Sequence, residues 1–184
     1  TRGPLTITVQ VLGALPLEGA LLRGGAKPGD ELYVSGTLGD AAGALAFLGG
    51  DWQPEPDAAE YLLDRFNRPR ARLELGRALL GRATAAIDIS DGLLADAGHL
   101  AAASGVKMVI DPALLPLSDA LQSHLSPKEV REWALAGGDD YELCFTLPAG
   151  EKPPMGCTRI GHAEQGVGID CGLEVDIPPG YQHF

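Results

Sequence analysis

The segment AAIDISDGLLADAGHL, which covers Ala85–Leu100, predicts a strand that leads directly into a helix. Its apolar beginning predicts a buried strand over Ala85–Ile89. The leucine and alanine spacing that follows predicts a helix from about Gly92 to Ala103, with Gly105 as the stop signal. A strand followed by a helix is a building unit of α/β and α+β proteins, so this segment indicates the fold class.

On both sides of this segment, further patterns predict strands and helices. Alternation of apolar and polar residues predicts strands, whereas helical spacing with capping residues or terminal Gly and Pro predicts helices. The predicted strands are Leu5–Val11, Glu31–Ser35, KMVIDP and DYELCFTL. Three of the predicted helices are Ala41–Leu48 with Asp40 as its cap, Ala58–Asn67 and Arg70–Leu80. A further helix is predicted to start with a Ser126–Glu129 capping box and to stop at Gly137. We therefore expect one α/β (α+β) domain over residues 1–184, with helices packed on a mixed sheet.

The composition of the chain is that of a globular protein with an excess of acids. Its 184 residues carry 25 acidic and 14 basic side chains, a net charge of −11. This charge argues against nucleic acid or an anionic membrane surface as a partner, and no apolar run approaches the roughly 20 residues of a membrane span. Three cysteines without a C-x-x-C pair favour reduced thiols and a cytoplasmic location.

The strand–helix junction carries three polar residues that admit two interpretations. Ser90 or Asp91 could simply cap the following helix. Asp88, however, points to the same strand face as Ser90, and an unpaired acid at the end of an apolar strand is costly unless a cation or a donor meets it. Because carboxylate oxygens are ligands that Mg²⁺ prefers, the second interpretation is a magnesium site.

A second acidic cluster, Asp139, Asp140 and Glu142, lies in LAGGDDYELCF just after a predicted helix. The carboxyl end of a helix carries partial negative charge, so acids there are unfavourable by about 0.3–1 kcal/mol each. A solvated turn tolerates this cost, and a bound cationic ligand would remove it.

Other motifs predict structure and not chemistry. The segment SGTLGD matches neither phosphate-loop pattern, so it predicts a turn and a helix cap. The four histidines form no H-E-x-x-H pair and no G-x-S-x-G is present, which leaves zinc and serine hydrolysis unsupported. Trp133, three residues after Val130 on a predicted helix, is expected in the core.

Three segments, in this order and spacing, resemble the C-terminal half of the thiamine-monophosphate kinases: ALLRGGAKPGDELYVSGTLGDAAGAL, AAIDISDGLLADAGHL and LAGGDDYELCFT. The resemblance extends from Thr1 to the terminal GYQHF and implies the C-terminal domain of the fold shared with aminoimidazole ribonucleotide synthetase. It also implies ATP-dependent conversion of thiamine monophosphate to thiamine diphosphate by direct in-line transfer, with Mg²⁺ as the metal.

The resemblance implies roles for six residues of this chain. Asp88 and Asp91 would bind Mg²⁺, Ser90 and Arg23 would contact ATP, and Asp139 and Tyr181 would contact thiamine monophosphate. Two positions depart from the family pattern, because Asp139 replaces a common glutamate and Gln182 replaces a usual aspartate. The shorter Asp139 side chain is expected to reach the substrate less directly.

The resemblance further implies that an N-terminal domain, with most metal-binding aspartates and the main homodimer contact, is missing here. We therefore expect this chain alone to be inactive. The acceptor phosphate is already largely ionised at neutral pH, so the reaction needs charge neutralisation and alignment and no catalytic nucleophile. Two alternatives stay open: another ATP-using member of the superfamily, related to aminoimidazole ribonucleotide synthetase or the hydrogenase-maturation protein, and a non-catalytic nucleotide-binding fragment.

Overall fold

A computed structural model of the chain describes Leu5 and residues 7–15 and 19–172. Within these residues, six strands and six α-helices alternate irregularly along the chain. In chain order they are β1 (Glu31–Ser35), α1 (Asp40–Gly49), α2 (Pro56–Asn67), α3 (Leu73–Leu79), β2 (Ala85–Asp88), α4 (Leu93–Ser104), β3 (Lys107–Ile110), a 3-10 turn at Pro112–Leu114, α5 (Asp119–Gln122), α6 (Pro127–Ala136), β4 (Leu143–Leu147), β5 (Cys157–Glu164) and β6 (Gly168–Asp170).

The strands form one mixed sheet in the order β2-β4-β1-β5-β3-β6. Four of the five neighbouring pairs are antiparallel, and only β3 and β6 run parallel. The predicted α/β class with a mixed sheet is therefore confirmed. The edge strand β2 pairs with β4, so the segments that follow β2 and precede β4 meet at one end of the sheet.

Apolar side chains are buried on both faces of the sheet. On one face, α4 and α6 cover the strands, and Leu93, Leu100 and Leu135 are fully buried there. On the other face, Leu79 from α3 packs with Phe145, which stacks on Tyr33 with ring centroids 5.7 Å apart. Burial of such side chains contributes roughly 1.5–3 kcal/mol each, so both faces stabilise the sheet that carries the site.

Local sequence signals predicted most of these elements. The capping box of α6 is present, with the Ser126 hydroxyl accepting from the Glu129 N–H and Glu129 accepting from the Ser126 N–H. The prediction that Asp40 caps α1 is wrong, because Gly39 holds that position and Asp40 is the first helical residue. The three-residue strand β6 was not predicted, since its glycine and short length give no alternating pattern.

The predicted strand over Leu5–Val11 is wrong for its described residues. Residues 5 and 7–11 form no strand, and the side chains of Leu5, Ile7, Val9 and Val11 are 76–88% exposed. An alternating pattern becomes a strand only where a neighbouring strand accepts its hydrogen bonds and a core covers its apolar face. Within the described part of the chain, neither is provided for this segment.

Candidate active site

Two acidic segments are joined by backbone hydrogen bonds at the end of the β2–β4 pair. Asp88 is paired with Leu143, the last register position of the two strands. The antiparallel pattern continues past the strands. The Ile89 N–H donates to the backbone carbonyl of Glu142 (2.8 Å), and the Tyr141 N–H donates to the Ile89 carbonyl (2.9 Å). The two clusters found separately in the sequence are therefore neighbours in one site.

Glycines permit this close approach. A Cβ on Gly138 would lie 2.5 Å from the Ser90 carbonyl oxygen, a distance that no side chain tolerates. Gly92 has a φ of 112°, and a Cβ there would lie 2.7 Å from the Ala136 carbonyl oxygen. These two glycines therefore let the loop before α4 pack directly against the loop after α6.

Asp96 fixes the loop that carries Ser90 and Asp91. Its carboxylate Oδ2 accepts hydrogen bonds from both backbone N–H groups, each at 2.9 Å. Burial raises the pKa of Asp96, while the two N–H donors oppose that rise. The sequence analysis does not identify this residue. An acid between Leu93 and Ala97 on an apolar helix face does, however, indicate a carboxylate that is buried and hydrogen-bonded.

The capping interpretation of the junction is not what the structure shows. The N-cap position of α4 is Gly92, and no side chain caps that helix. Asp88 is exposed at the strand end, so the expected desolvation cost does not arise there. The carboxylate of Asp88 instead faces solvent at this end of the sheet, where Ser90 and Asp91 are half-buried.

The acidic segment before β4 divides into two outward and two inward side chains. Asp139 and Tyr141 are exposed, whereas Asp140 and Glu142 are buried. The Tyr141 hydroxyl donates to the Asp139 carboxylate at 3.1 Å. That bond, burial and the nearby carboxylates of Asp139, Asp88 and Asp91 raise the pKa of Tyr141. The Tyr141 phenol group therefore lies directly beside the Asp139 carboxylate.

The two inward acids are structural, which corrects their grouping as one unfavourable cluster. Asp140 accepts hydrogen bonds from the N–H groups of Gly39 (2.8 Å) and Ala41 (3.4 Å), at the positive end of α1. Burial raises its pKa to about 7. Since Gly39 offers no capping side chain, Asp140 supplies the missing acceptor from a distant part of the chain.

Glu142 is held by two arginines beneath the site. Its carboxylate accepts from the Arg72 Nε at 2.6 Å and from the Arg65 guanidinium at 3.0 Å, and the Ser35 hydroxyl also donates to it. Its side chain is completely buried, and the hydrogen bonds to Glu142 raise the pKa of Arg72. These hydrogen bonds fix the Glu142 side chain, and with it the start of β4.

The segment SGTLGD forms a bend that leads into α1, and Asp40, its predicted cap, is the first residue of that helix. The Asp40 carboxylate accepts from the hydroxyl groups of Thr37 and Ser118, both at 2.5 Å, and of Tyr61 at 3.0 Å. These bonds satisfy the buried acid completely, so the segment is a hydrogen-bonded corner.

Trp133 packs with Trp52 at a centroid distance of 5.9 Å in a cluster of helices, as expected for a core residue.

A broad cleft beside this corner is lined by four arginines, but acids balance them. Arg65 and Arg72 are paired with Glu142, and Arg68 and Arg70 lie 3.5 and 3.3 Å from the Asp64 carboxylate. Asp57 and Glu60 also line the cleft, so four acids stand against the four arginines and no excess positive charge is left to attract a phosphate group.

Among the described residues, one predicted site residue, Arg23, is not brought into the acidic cluster. The Arg23 carbonyl accepts from Ser104 at the far end of α4, about 18 Å along a 12-residue helix from the Asp91 end. Tyr181 and Gln182 lie outside the described residues. The roles of Arg23 and Tyr181 stay predictions.

Among the described residues, no group of three or more acidic, histidine or cysteine side chains forms a ready metal cage. Mg²⁺ usually keeps several waters and takes only one or two carboxylates together with substrate phosphates. Asp88, which is exposed at the end of β2, and Asp91, three residues later, would supply such a partial set. Asp96 does not, because its Oδ2 already accepts two N–H groups.

None of the helices among residues 19–172 has the length and apolarity to cross a membrane.

Comparison with known families identifies residues 27–169 as an AIR synthase related protein, C-terminal domain. Thiamine-monophosphate kinase of Escherichia coli K12 is 51% identical over 172 residues, which cover 93% of this chain and 52% of that protein. The chain therefore spans about half the length of the curated relatives that it matches.

Solved structures agree with this comparison. Thiamine-monophosphate kinase from Stenotrophomonas maltophilia K279a has a TM-score of 0.78 and 43% identity, over 84% of this chain and 53% of that one. AaThiL complexed with AMPPCP and TMP has a TM-score of 0.80 and 40% identity, over 89% of this chain and 54% of that one.

Proposed function

The chain belongs to the family of AIR synthase related proteins, matching its C-terminal domain, and we propose that it is part of an ATP-dependent kinase for thiamine monophosphate. The product would be thiamine diphosphate. Strong identity to thiamine-monophosphate kinases supports the reaction, and the similar AaThiL structure contains AMPPCP and TMP. Because the chain spans about half of these relatives, the complete enzyme in this proposal has a further N-terminal domain and dimerises through it.

The observation that carries the proposal is the pairing of the two acidic segments. It places Asp88, Ser90 and Asp91 beside Asp139 and Tyr141 at one exposed end of the sheet. A kinase for a cationic, phosphorylated substrate needs both a region that binds phosphate groups through a metal and a region that attracts a positive ring. The paired segments offer carboxylates for each purpose.

The chain's own residues would act by positioning. Asp88 and Asp91 would hold Mg²⁺ together with water and phosphate oxygens, and Ser90 would contact the nucleotide. Mg²⁺, when bound, would offset the charge of the two phosphate groups that must approach each other. Asp96 keeps Ser90 and Asp91 in place through their N–H groups, so the phosphate-binding loop is fixed before the ligand arrives.

The substrate would be recognised at the second segment. Asp139 would attract the positively charged thiazolium ring of thiamine monophosphate, while Asp140 and Glu142 anchor the backbone on either side from below. No general base is required, since the acceptor phosphate is already ionised at neutral pH. Direct in-line transfer between the two aligned phosphate groups is the mechanism that we propose.

Arg23 would meet a part of the nucleotide distant from the phosphate groups, since its backbone lies at the far end of α4. Tyr181 would contact the substrate. A cytoplasmic location also belongs to the proposal, and the free thiols of Cys144, Cys157 and Cys171 are compatible with it.

The test is to supply the complete enzyme with ATP, Mg²⁺ and thiamine monophosphate and to separate the products by chromatography. Thiamine diphosphate formed with ADP in a one-to-one ratio would support the proposal. Aminoimidazole ribonucleotide synthetase substrates serve as the control, and turnover of those substrates without thiamine diphosphate formation would refute the proposal.

A further inference from the structure

Tyr141 adopts a backbone conformation that a bulky side chain rarely takes. Its φ is 51°, in the left-handed region, and Asp139 two residues earlier has a φ of 66°. Aspartate enters this region comparatively easily, whereas an aromatic residue there is an outlier that the surroundings must enforce. Such outliers concentrate at ligand-binding sites. The conformation of Tyr141 therefore calls for a functional explanation.

The neighbours of Tyr141 force its side chain outward. Asp140 is held by backbone N–H groups of α1, and Glu142 is held by Arg65 and Arg72. The Tyr141 N–H itself donates to the Ile89 carbonyl at 2.9 Å. With both neighbouring side chains fixed inward, the phenol ring lies at the surface with 39% of the residue exposed.

The ring lies beside a negative charge. Its hydroxyl donates to the Asp139 carboxylate at 3.1 Å. A metal site needs carboxylates but gains nothing from an aromatic ring. A flat organic cation gains from both, because the acids attract its charge and the electron-rich ring face stacks against it.

We propose that Tyr141 is a specificity residue that contacts the substrate, stacking its ring against the positively charged thiazolium of thiamine monophosphate beside Asp139. This inference rests on the proposed function and adds to it the residue that distinguishes a cationic ring from a neutral one. Tyr141 and Asp139 act as a pair, since the hydroxyl fixes the carboxylate while the ring face stays open to the ligand.

The test compares two substrates in the complete enzyme: thiamine monophosphate and its 3-deaza analogue, in which a neutral thiophene replaces the thiazolium. Tyr141→Leu removes the ring but shares tyrosine's backbone preference, and Tyr141→Asn removes it with a residue that accepts positive φ readily. Tyr141→Phe, the matched control, keeps the ring and removes only the hydroxyl.

We expect both ring-removing variants to raise the KM for thiamine monophosphate by about tenfold, the size of a partly desolvated cation–π contact. The KM for the neutral analogue and for ATP should change by less than about twofold, and Tyr141→Phe should keep most of the preference for the cation. Equal losses for both substrates, or no loss for either, would overturn the inference while leaving the kinase proposal intact. A wild-type enzyme that does not phosphorylate thiamine monophosphate would overturn the kinase proposal and this inference with it.

Discussion

The backbone N–H of Asp139 donates a 2.9 Å hydrogen bond to the carbonyl oxygen of Ser90. This bond links a proposed substrate residue directly to a proposed nucleotide residue, although they are 49 positions apart in the sequence. Movement of one loop therefore displaces the other, so the geometry of the two proposed ligand sites is set by one shared piece of backbone.

The 184-residue chain alone should show little or no kinase activity, because the proposed enzyme requires acidic residues from a further domain. The measurement is thiamine diphosphate formation by the purified chain and by the complete enzyme at equal concentration. Turnover by the chain near that of the complete enzyme would show that the site needs no further domain.

Asp88→Asn in the complete enzyme should raise the Mg²⁺ concentration required for half-maximal rate and lower kcat by more than tenfold, a barrier increase above about 1.4 kcal/mol. The amide is nearly isosteric but carries no charge to hold the metal. Folding should be unaffected, since the side chain is exposed at the end of β2. An unchanged magnesium titration would remove Asp88 from the proposed metal site.

Asp139→Asn should raise the KM for thiamine monophosphate about tenfold while leaving the KM for ATP nearly unchanged. Asparagine suits the left-handed backbone at φ 66° and can still accept from Tyr141, so the change removes mainly the charge. Asp139→Ala is a poorer test because alanine disfavours this conformation by roughly 1–2 kcal/mol. Loss of ATP affinity with intact substrate affinity would mean that the two clusters are assigned in reverse.

Asp96→Ala should destabilise the chain by about 1–3 kcal/mol, because the partly buried N–H groups of Ser90 and Asp91 lose their acceptor. Asp96→Asn is the matched control, since its amide oxygen can still accept. Urea unfolding of the three chains measures the difference. Equal stability of the alanine variant and the wild type would show that water replaces the carboxylate without cost.

Asp140 should make the stability of the chain depend on pH. Burial raises its pKa from 3.8 to about 7, so the folded state binds this proton more tightly than the unfolded state. Protonation of Asp140 therefore stabilises the folded state. This contribution to the free energy of unfolding is fully present below about pH 4 and is lost as the pH rises through about 7. Asp140→Asn should lack this loss, which we expect to be on the order of a few kcal/mol. Urea unfolding across this pH range provides the measurement, and parallel pH profiles for both chains would contradict the assignment.

Local patterns determined most of the secondary structure. The strand Glu31–Ser35 has its predicted bounds, and the capping box at Ser126 starts α6 as predicted. The apolar run at Ala85 and the helical spacing after Gly92 likewise correspond to β2 and α4. These signals depend on residues a few positions apart, which is why a single sequence contains them. The alternation at Leu5–Val11 shows the limit, since a strand also needs a partner outside its own segment.

The roles of the acids were decided only by the tertiary structure. In DDYE, the sequence offers three similar carboxylates within four residues, yet Asp139 faces the site while Asp140 and Glu142 are buried. Asp140 meets Gly39, 101 positions away, and Glu142 meets Arg72, 70 positions away. A carboxylate becomes a structural anchor or a ligand-binding group according to whether donors surround it or solvent does. Those donors come from distant segments that only the folded sheet brings together.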